Sequence, residues 1–144
     1  MKKIALLIVI VFSLYGYLEK NSGLVPLSAN QSSADDSALT RAYENRKSNI
    51  QVSGSGVVIK ILADDTSGSR HQKFILKLPS GQTLLISHNI DLAPRISALR
   101  KGDNVNFYGE YEWNSKGGVV HWTHHDPKGR HLGGWLKHNG ATYQ

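Results

Sequence analysis

The stretch Lys73-Phe74-Ile75-Leu76-Lys77-Leu78-Pro79-Ser80-Gly81-Gln82-Thr83-Leu84-Leu85-Ile86-Ser87-His88 decides the fold class. Its first limb alternates, with Phe74, Leu76 and Leu78 on one face, which is the two-residue period of a half-buried strand. Pro79-Ser80-Gly81-Gln82 is turn chemistry: proline presets one backbone angle and glycine accepts conformations closed to other residues. The second limb resumes the strand, with Leu84 and Ile86 facing inward. The two limbs read as a hairpin.

Working outward, Val57-Val58-Ile59-Lys60-Ile61-Leu62 is β-branched and strand-like, and the acid, serine and glycine of Asp64 to Ser69 make a loop before the hairpin. Beyond His88, a short helical or irregular piece from Leu92 to Leu99 ends at Lys101-Gly102-Asp103. Val105 to Trp113 is a further strand, with Val105, Phe107, Tyr111 and Trp113 inward. Asn114-Ser115-Lys116-Gly117-Gly118 then turns into a strand from Val119 to His124. Five strands of this kind predict a mainly β fold, a small five-stranded OB-like Greek-key barrel, with an SH3-like small barrel as the alternative. Phe74, Leu76, Leu84, Ile86, Val105, Phe107 and Tyr111 are expected to fill most of its interior.

The flanks read differently. Met1-Lys2-Lys3 precedes an apolar run from Ile4 to Leu18, the pattern of a signal peptide or signal anchor over residues 1–18. Residues 19–33 read as a linker, being rich in Ser and Asn. Ser33 before Ala34-Asp35-Asp36 suggests the N-cap of a short helix over 34–48. The barrel domain then covers 50–144, closing with an irregular Gly- and His-rich tail from Asp126. These features place the domain in the periplasm or secreted, or held to the inner membrane by an uncleaved N-terminal segment.

There is no cysteine, hence no disulfide framework, thiol nucleophile or lipidated cysteine. The net charge of +6 favours anionic partners only weakly, because no basic run exceeds two residues. Phosphate-binding glycine loops, Gly-x-Ser-x-Gly and His-Glu-x-x-His are all missing from the sequence. The seven histidines all fall between His71 and His138, which makes them the compositional fact of most weight.

Several long and compositionally odd phrases carry a resemblance. They are Asp64-Asp65 with Gly68-Ser69-Arg70-His71-Gln72-Lys73-Phe74, His88-Asn89-Ile90-Asp91-Leu92-Ala93-Pro94-Arg95, Gly109-Glu110-Tyr111-Glu112-Trp113-Asn114, and His121-Trp122-Thr123-His124-His125-Asp126-Pro127. From about Val52 to Gln144 the chain resembles the family catalogued as domain of unknown function 3465. The resemblance implies a small exported bacterial protein and carries no activity with it.

In an OB-like barrel, strands one, three and five end at the same rim, strand five running parallel to strand three. The rim would then gather Asp64, Asp65, Arg70, His71, His88, Asn89, Asp91, His124, His125 and Asp126 from separate phrases. Arg70, His71, His88, Asn89, Asp91, His124 and Asp126 are the expected ligand-binding residues. Imidazole with carboxylate suits zinc and related divalent metals, so His71, His88, His124, His125 and Asp126 are the expected ligands if an ion binds. The same groups serve metal-free acid–base work. Taken singly, each histidine is more often a satisfied hydrogen-bonder in a turn or strand. Among the aromatic residues, Tyr111 and Trp113 read as core, and Tyr108 points outward between Asn106 and Glu110.

Three functions follow from this. The first is a binding module for an anionic or carbohydrate-bearing ligand. The second is a metal-dependent hydrolase of the phosphodiesterase or nuclease class, using the His/Asp rim. The third is a structural protein whose histidines are incidental.

Overall fold

A computed structural model of the chain describes residues 27–144, with side chains from residue 31 onward. The expected signal segment, residues 1–18, lies outside the described residues. Among the described residues no helix is long and apolar enough to cross a membrane. Residues Gln31–Gln144 form one compact unit.

The described elements are α1 (Leu27–Glu44), β1 (Ile50–Ile61), β2 (His71–Lys77), β3 (Thr83–Asn89), β4 (Asn104–Glu112), β5 (Val119–His121), β6 (Trp135–His138) and β7 (Ala141–Tyr143). The strands pair in the order β1-β2-β3-β5-β4, and β1 pairs again with β4, so the sheet closes on itself. β3 and β5 run parallel through Leu85↔Val119 and Ile86↔Val120, while the other pairings are antiparallel. This is the closed five-stranded OB-like barrel that the hairpin and its neighbours predict. The interior residues expected from the alternation, Phe74, Leu76, Leu84, Ile86, Val105, Phe107 and Tyr111, are all fully buried.

β1 serves two partners because it is long. Ile50 to Val57 pair with β4, Val57 to Ile61 pair with β2, and the register slips between Val58 and Lys60. Such an irregularity bends a strand around a barrel. Gly54 makes the crossing over the core feasible, since a Cβ there would lie 2.7 Å from the Phe107 ring.

The helix starts earlier than its acidic residues suggest. α1 begins at Leu27, inside the stretch expected to be linker, and Ser33 lies within it rather than at its cap. The Ser33 carbonyl accepts a bond from the Ser37 hydroxyl and the Asp36 carbonyl one from Thr40. Small hydroxyl side chains that bond back onto the preceding turn are tolerated inside a helix, so a serine-rich segment need not be a linker. Leu39 and Ala42 are buried against one end of the barrel. Trp113, expected inside, lies beyond the end of β4 and is only partly buried. Its backbone N–H donates to Ser48, its indole N–H donates to the Tyr43 carbonyl, and its ring stacks on Tyr43 at 6.5 Å.

The other end of the barrel is closed by residues 90–103, which are irregular rather than helical and bury Ala93, Ile96 and Leu99. Gln72 clamps this segment by donating to the Ile96 carbonyl and accepting from its N–H. The tail beyond Asp126 is not wholly irregular: β6 adds to β4, and β7 pairs with β6. The turn between them is Asn139-Gly140, both at positive φ (48° and 78°), the pairing a tight two-residue hairpin requires.

Candidate functional site

The barrel topology does bring the expected loops to one rim, because the ends of β1, β3 and β5 and the start of β4 coincide there. Their side chains, however, are engaged within the loops themselves. Asp91 accepts from the Arg70 backbone N–H at 2.8 Å and from its guanidinium at 2.7 Å, and these bonds lower its pKa. Arg95 forms a two-bond fork on Asp64. Asp65 accepts from the Ser67 N–H, which lowers its pKa, and lies 3.6 Å from Lys73. Asn89 accepts from the N–H groups of Asp91 and Leu92, a local turn cap. His71 pairs its Nδ1 with the Ser69 carbonyl at 2.8 Å.

His88 departs furthest from a ligand role. It is fully buried, its Nδ1 meets the Thr123 hydroxyl at 2.8 Å, and its Nε2 meets the Pro94 carbonyl at 3.0 Å. The carbonyl can only accept, so Nε2 carries the proton and Nδ1 accepts from Thr123. Burial pushes the ring's pKa down to about 4. A neutral imidazole with both nitrogens engaged ties β3 to the chain after β5 and has no lone pair for an ion. His124 is likewise buried, its Nδ1 bonded to the His125 carbonyl at 2.7 Å, while His125 is exposed. His71, His88, His124, His125 and Asp126 do not bring three donor atoms within 4.8 Å of one another.

A different group comes together on the outer face of the barrel, one strand away. The alternation of β4 buries Phe107, Gly109 and Tyr111 and turns Tyr108, Glu110 and Glu112 outward. β5 sets His121 directly opposite Glu110. Among the described residues, the grouping of three metal-ligand types whose donor atoms all lie within 4.8 Å of one another is Glu110, Glu112 and His121. His121 Nε2 is 3.7 Å from Glu110 Oε2 and 3.6 Å from Glu112 Oε1, too far for hydrogen bonds. That nitrogen is shielded from solvent and has no hydrogen-bond partner.

The chain after β5 completes the site. Trp122 adopts φ 55°, a left-handed conformation that is strained for a bulky side chain. Its ring stacks on His131 with centroids 3.9 Å apart and planes 7° from parallel. His131 donates from Nδ1 to the Leu132 carbonyl at 2.7 Å and meets Glu110 Oε2 with Nε2 at 2.8 Å. Asp126, expected to bind ligand, instead gathers the backbone N–H groups of Lys128, Arg130 and His131, bonds that hold its pKa down. It shapes the loop that brings His131 back. Gly134 lets that loop pass against the Trp122 and Tyr108 carbonyls, where any Cβ would collide with backbone. Beside Glu110, Tyr108 meets Trp135 of β6 with centroids 6.0 Å apart, and Lys137 lies over the Trp135 ring.

A second histidine–carboxylate pair, His138 Nε2 on Asp103 Oδ2 at 2.8 Å, lines an open groove under the β6–β7 hairpin. Asp103 also accepts from the Arg100 N–H, and the two bonds, that to His138 foremost, lower its pKa. Its carboxylate is thus engaged in the same manner as those of the rim.

Sequence reasoning left out Glu112, His121 and His131, and read Glu110 only as an acid beside Tyr108. The alternation of β4 already places Glu110 and Glu112 on one face. The missing information was the register that sets His121 opposite Glu110 and the loop path that returns His131.

A family model described as protein of unknown function, DUF3465, matches residues 24–144, extending the resemblance upstream through α1. No curated protein matches the chain.

Proposed function

The chain belongs to the DUF3465 family, and on that premise we propose that it is a binding module working outside the cytoplasm, whose ligand carries carbohydrate. The basic start and apolar run of residues 1–18 support the location. The working surface is the outer face of β5, β4 and β6, where the half-buried rings of Trp122, Tyr108 and Trp135 flank Glu110 and Glu112.

One observation carries the reading: a tryptophan is held in a strained backbone conformation, its ring braced flat on His131, beside carboxylates. Strained residues persist where the surroundings over-determine them, and they concentrate at ligand sites. An aromatic ring offers a flat apolar face, and a carboxylate accepts hydroxyl hydrogens, the two contacts a sugar ring can make together. Of the two ligand classes that the sequence suggests, the anionic one is disfavoured here, because Glu110 and Glu112 would repel it despite the net charge of +6.

Titration of the full chain with neutral oligosaccharides, read by tryptophan fluorescence, tests this. Binding should occur and weaken at least tenfold in Trp122→Ala while the circular dichroism stays unchanged. Binding of anionic polymers only, or saccharide binding indifferent to Trp122, would overturn the proposal.

A further inference from the structure

We propose that Glu110, Glu112 and His121 form a binding site for a divalent cation of the zinc class. The site goes beyond the carbohydrate reading and does not depend on it. Glu110 and Glu112 are two apart on one strand and share its outer face, and His121 lies across from Glu110 on the neighbouring strand. The three side chains therefore project together from a rigid sheet, not from a loop.

The distances favour an ion over a hydrogen bond. Ligands at 2.0–2.2 Å from a tetrahedral ion stand about 3.3–3.6 Å from one another. His121 Nε2 lies 3.7 Å from the Glu110 oxygen and 3.6 Å from the Glu112 oxygen, close to that edge length. An independent observation points the same way. The same nitrogen is withdrawn from solvent and has no hydrogen-bond partner, a condition that costs free energy unless its lone pair meets a donor or a Lewis acid. A divalent ion among these groups would take that lone pair and balance two neighbouring carboxylates at once.

His131 fits as a positioning residue. Its Nε2 meets the Glu110 oxygen nearest His121, while its Nδ1 is fixed on the Leu132 carbonyl. An N–H on a ligating carboxylate orients it, and such partners commonly set affinity by tenfold or more. One imidazole with two carboxylates is a mixed nitrogen–oxygen donor set that suits zinc better than calcium or magnesium, which prefer oxygen alone. Three protein ligands would leave a fourth position open on a tetrahedral ion.

The test is calorimetric titration of the full chain, free of any histidine tag and stripped with a chelator, using zinc, manganese and calcium chlorides. One zinc per chain should bind, at least tenfold more tightly than calcium. Glu112→Gln, which keeps the side chain's shape, and His121→Ala should each weaken zinc at least tenfold. His131→Gln should weaken it less, and His125→Ala should leave it unchanged. Absence of zinc binding, or zinc binding that survives Glu112→Gln and His121→Ala, overturns the site. Because no saccharide is present, and saccharide binding can be measured in chelator, either proposal can fail while the other stands.

Discussion

At the loop rim, Asp91 takes two bonds from Arg70, Arg95 forks onto Asp64, and His88 sits buried between Thr123 and Pro94. On the outer face of β4 and β5, two carboxylates and an imidazole stand within reach of one another, and the imidazole nitrogen has no bonding partner. The two regions contain the same residue types within one small domain. They differ in whether the local chain satisfies those side chains, and a cluster of histidine and acid carries functional meaning only after that question is answered. The rim side chains are satisfied by their own loops, and the outer face carries the proposed site.

The largest effect should separate the two regions by truncation. His88→Ala removes a ring from a fully buried position and strands the Thr123 hydroxyl and the Pro94 carbonyl. A cavity plus lost buried hydrogen bonds should cost roughly 3–5 kcal/mol. His121→Ala in the metal-free protein removes a nitrogen with no hydrogen-bond partner and should change stability by no more than about 1 kcal/mol. Urea unfolding of both variants checks the contrast. Equal losses would erase the distinction between the regions.

The pH dependence sharpens the same point. His88 has a folded pKa of about 4 against 6.5 for the free group. Between those values the unfolded chain binds more protons than the folded one, so stability rises with pH. The contribution is complete above 6.5 and is lost as pH falls toward 4, a change of about 3 kcal/mol. Asp65, Asp91, Asp103 and Asp126, whose folded pKa values are depressed below 3.8, stabilise above that value and lose their effect only below it. The two acid responses therefore fall in separate windows. His88→Gln offers an amide that can donate to Pro94 and accept from Thr123 without titrating, and it should flatten the curve between pH 6.5 and 4. A curve that keeps its slope there would assign the acid sensitivity to another group.

The barrel was legible because burial has a period. Phe74, Leu76, Leu84, Ile86, Val105, Phe107 and Tyr111 alternate with polar or surface-tolerant residues, and a one-residue slip would have exposed them all. The Asn139-Gly140 turn carried a readable signal too, flanked by alternating Trp135-Leu136-Lys137-His138 and Ala141-Thr142-Tyr143, but the Gly- and His-rich composition of the tail masks it. The start of α1 was hidden because serine belongs to helices and linkers alike. The outer-face site was half legible: the strand period pairs Glu110 with Glu112, whereas the partner across the sheet depends on a register that β4 and β5 settle only together. At the rim, shared location was readable, but whether each carboxylate meets a backbone N–H depends on loop geometry that side-chain identity does not encode.

The smallest expected effect probes why the outer face is strained at all. Trp122 at φ 55° should carry a conformational penalty of about 1–2 kcal/mol, because the left-handed region crowds the Cβ of an ordinary residue. The stack on His131 offsets part of it, at about 0.5–1.5 kcal/mol for an aromatic pair. Alanine keeps the strain and loses the stack. Asparagine also loses the stack, yet it enters the left-handed region readily through its short polar side chain. Trp122→Asn should therefore be more stable than Trp122→Ala by about 1 kcal/mol and close to the unmodified protein, while both variants lose saccharide binding. That pattern would mean the fold tolerates a strained tryptophan here and gains no stability from it, as expected of a residue kept for its surface. If instead Trp122→Asn is as unstable as Trp122→Ala, the ring is holding the loop in place, and Trp122 belongs with the architecture of the rim.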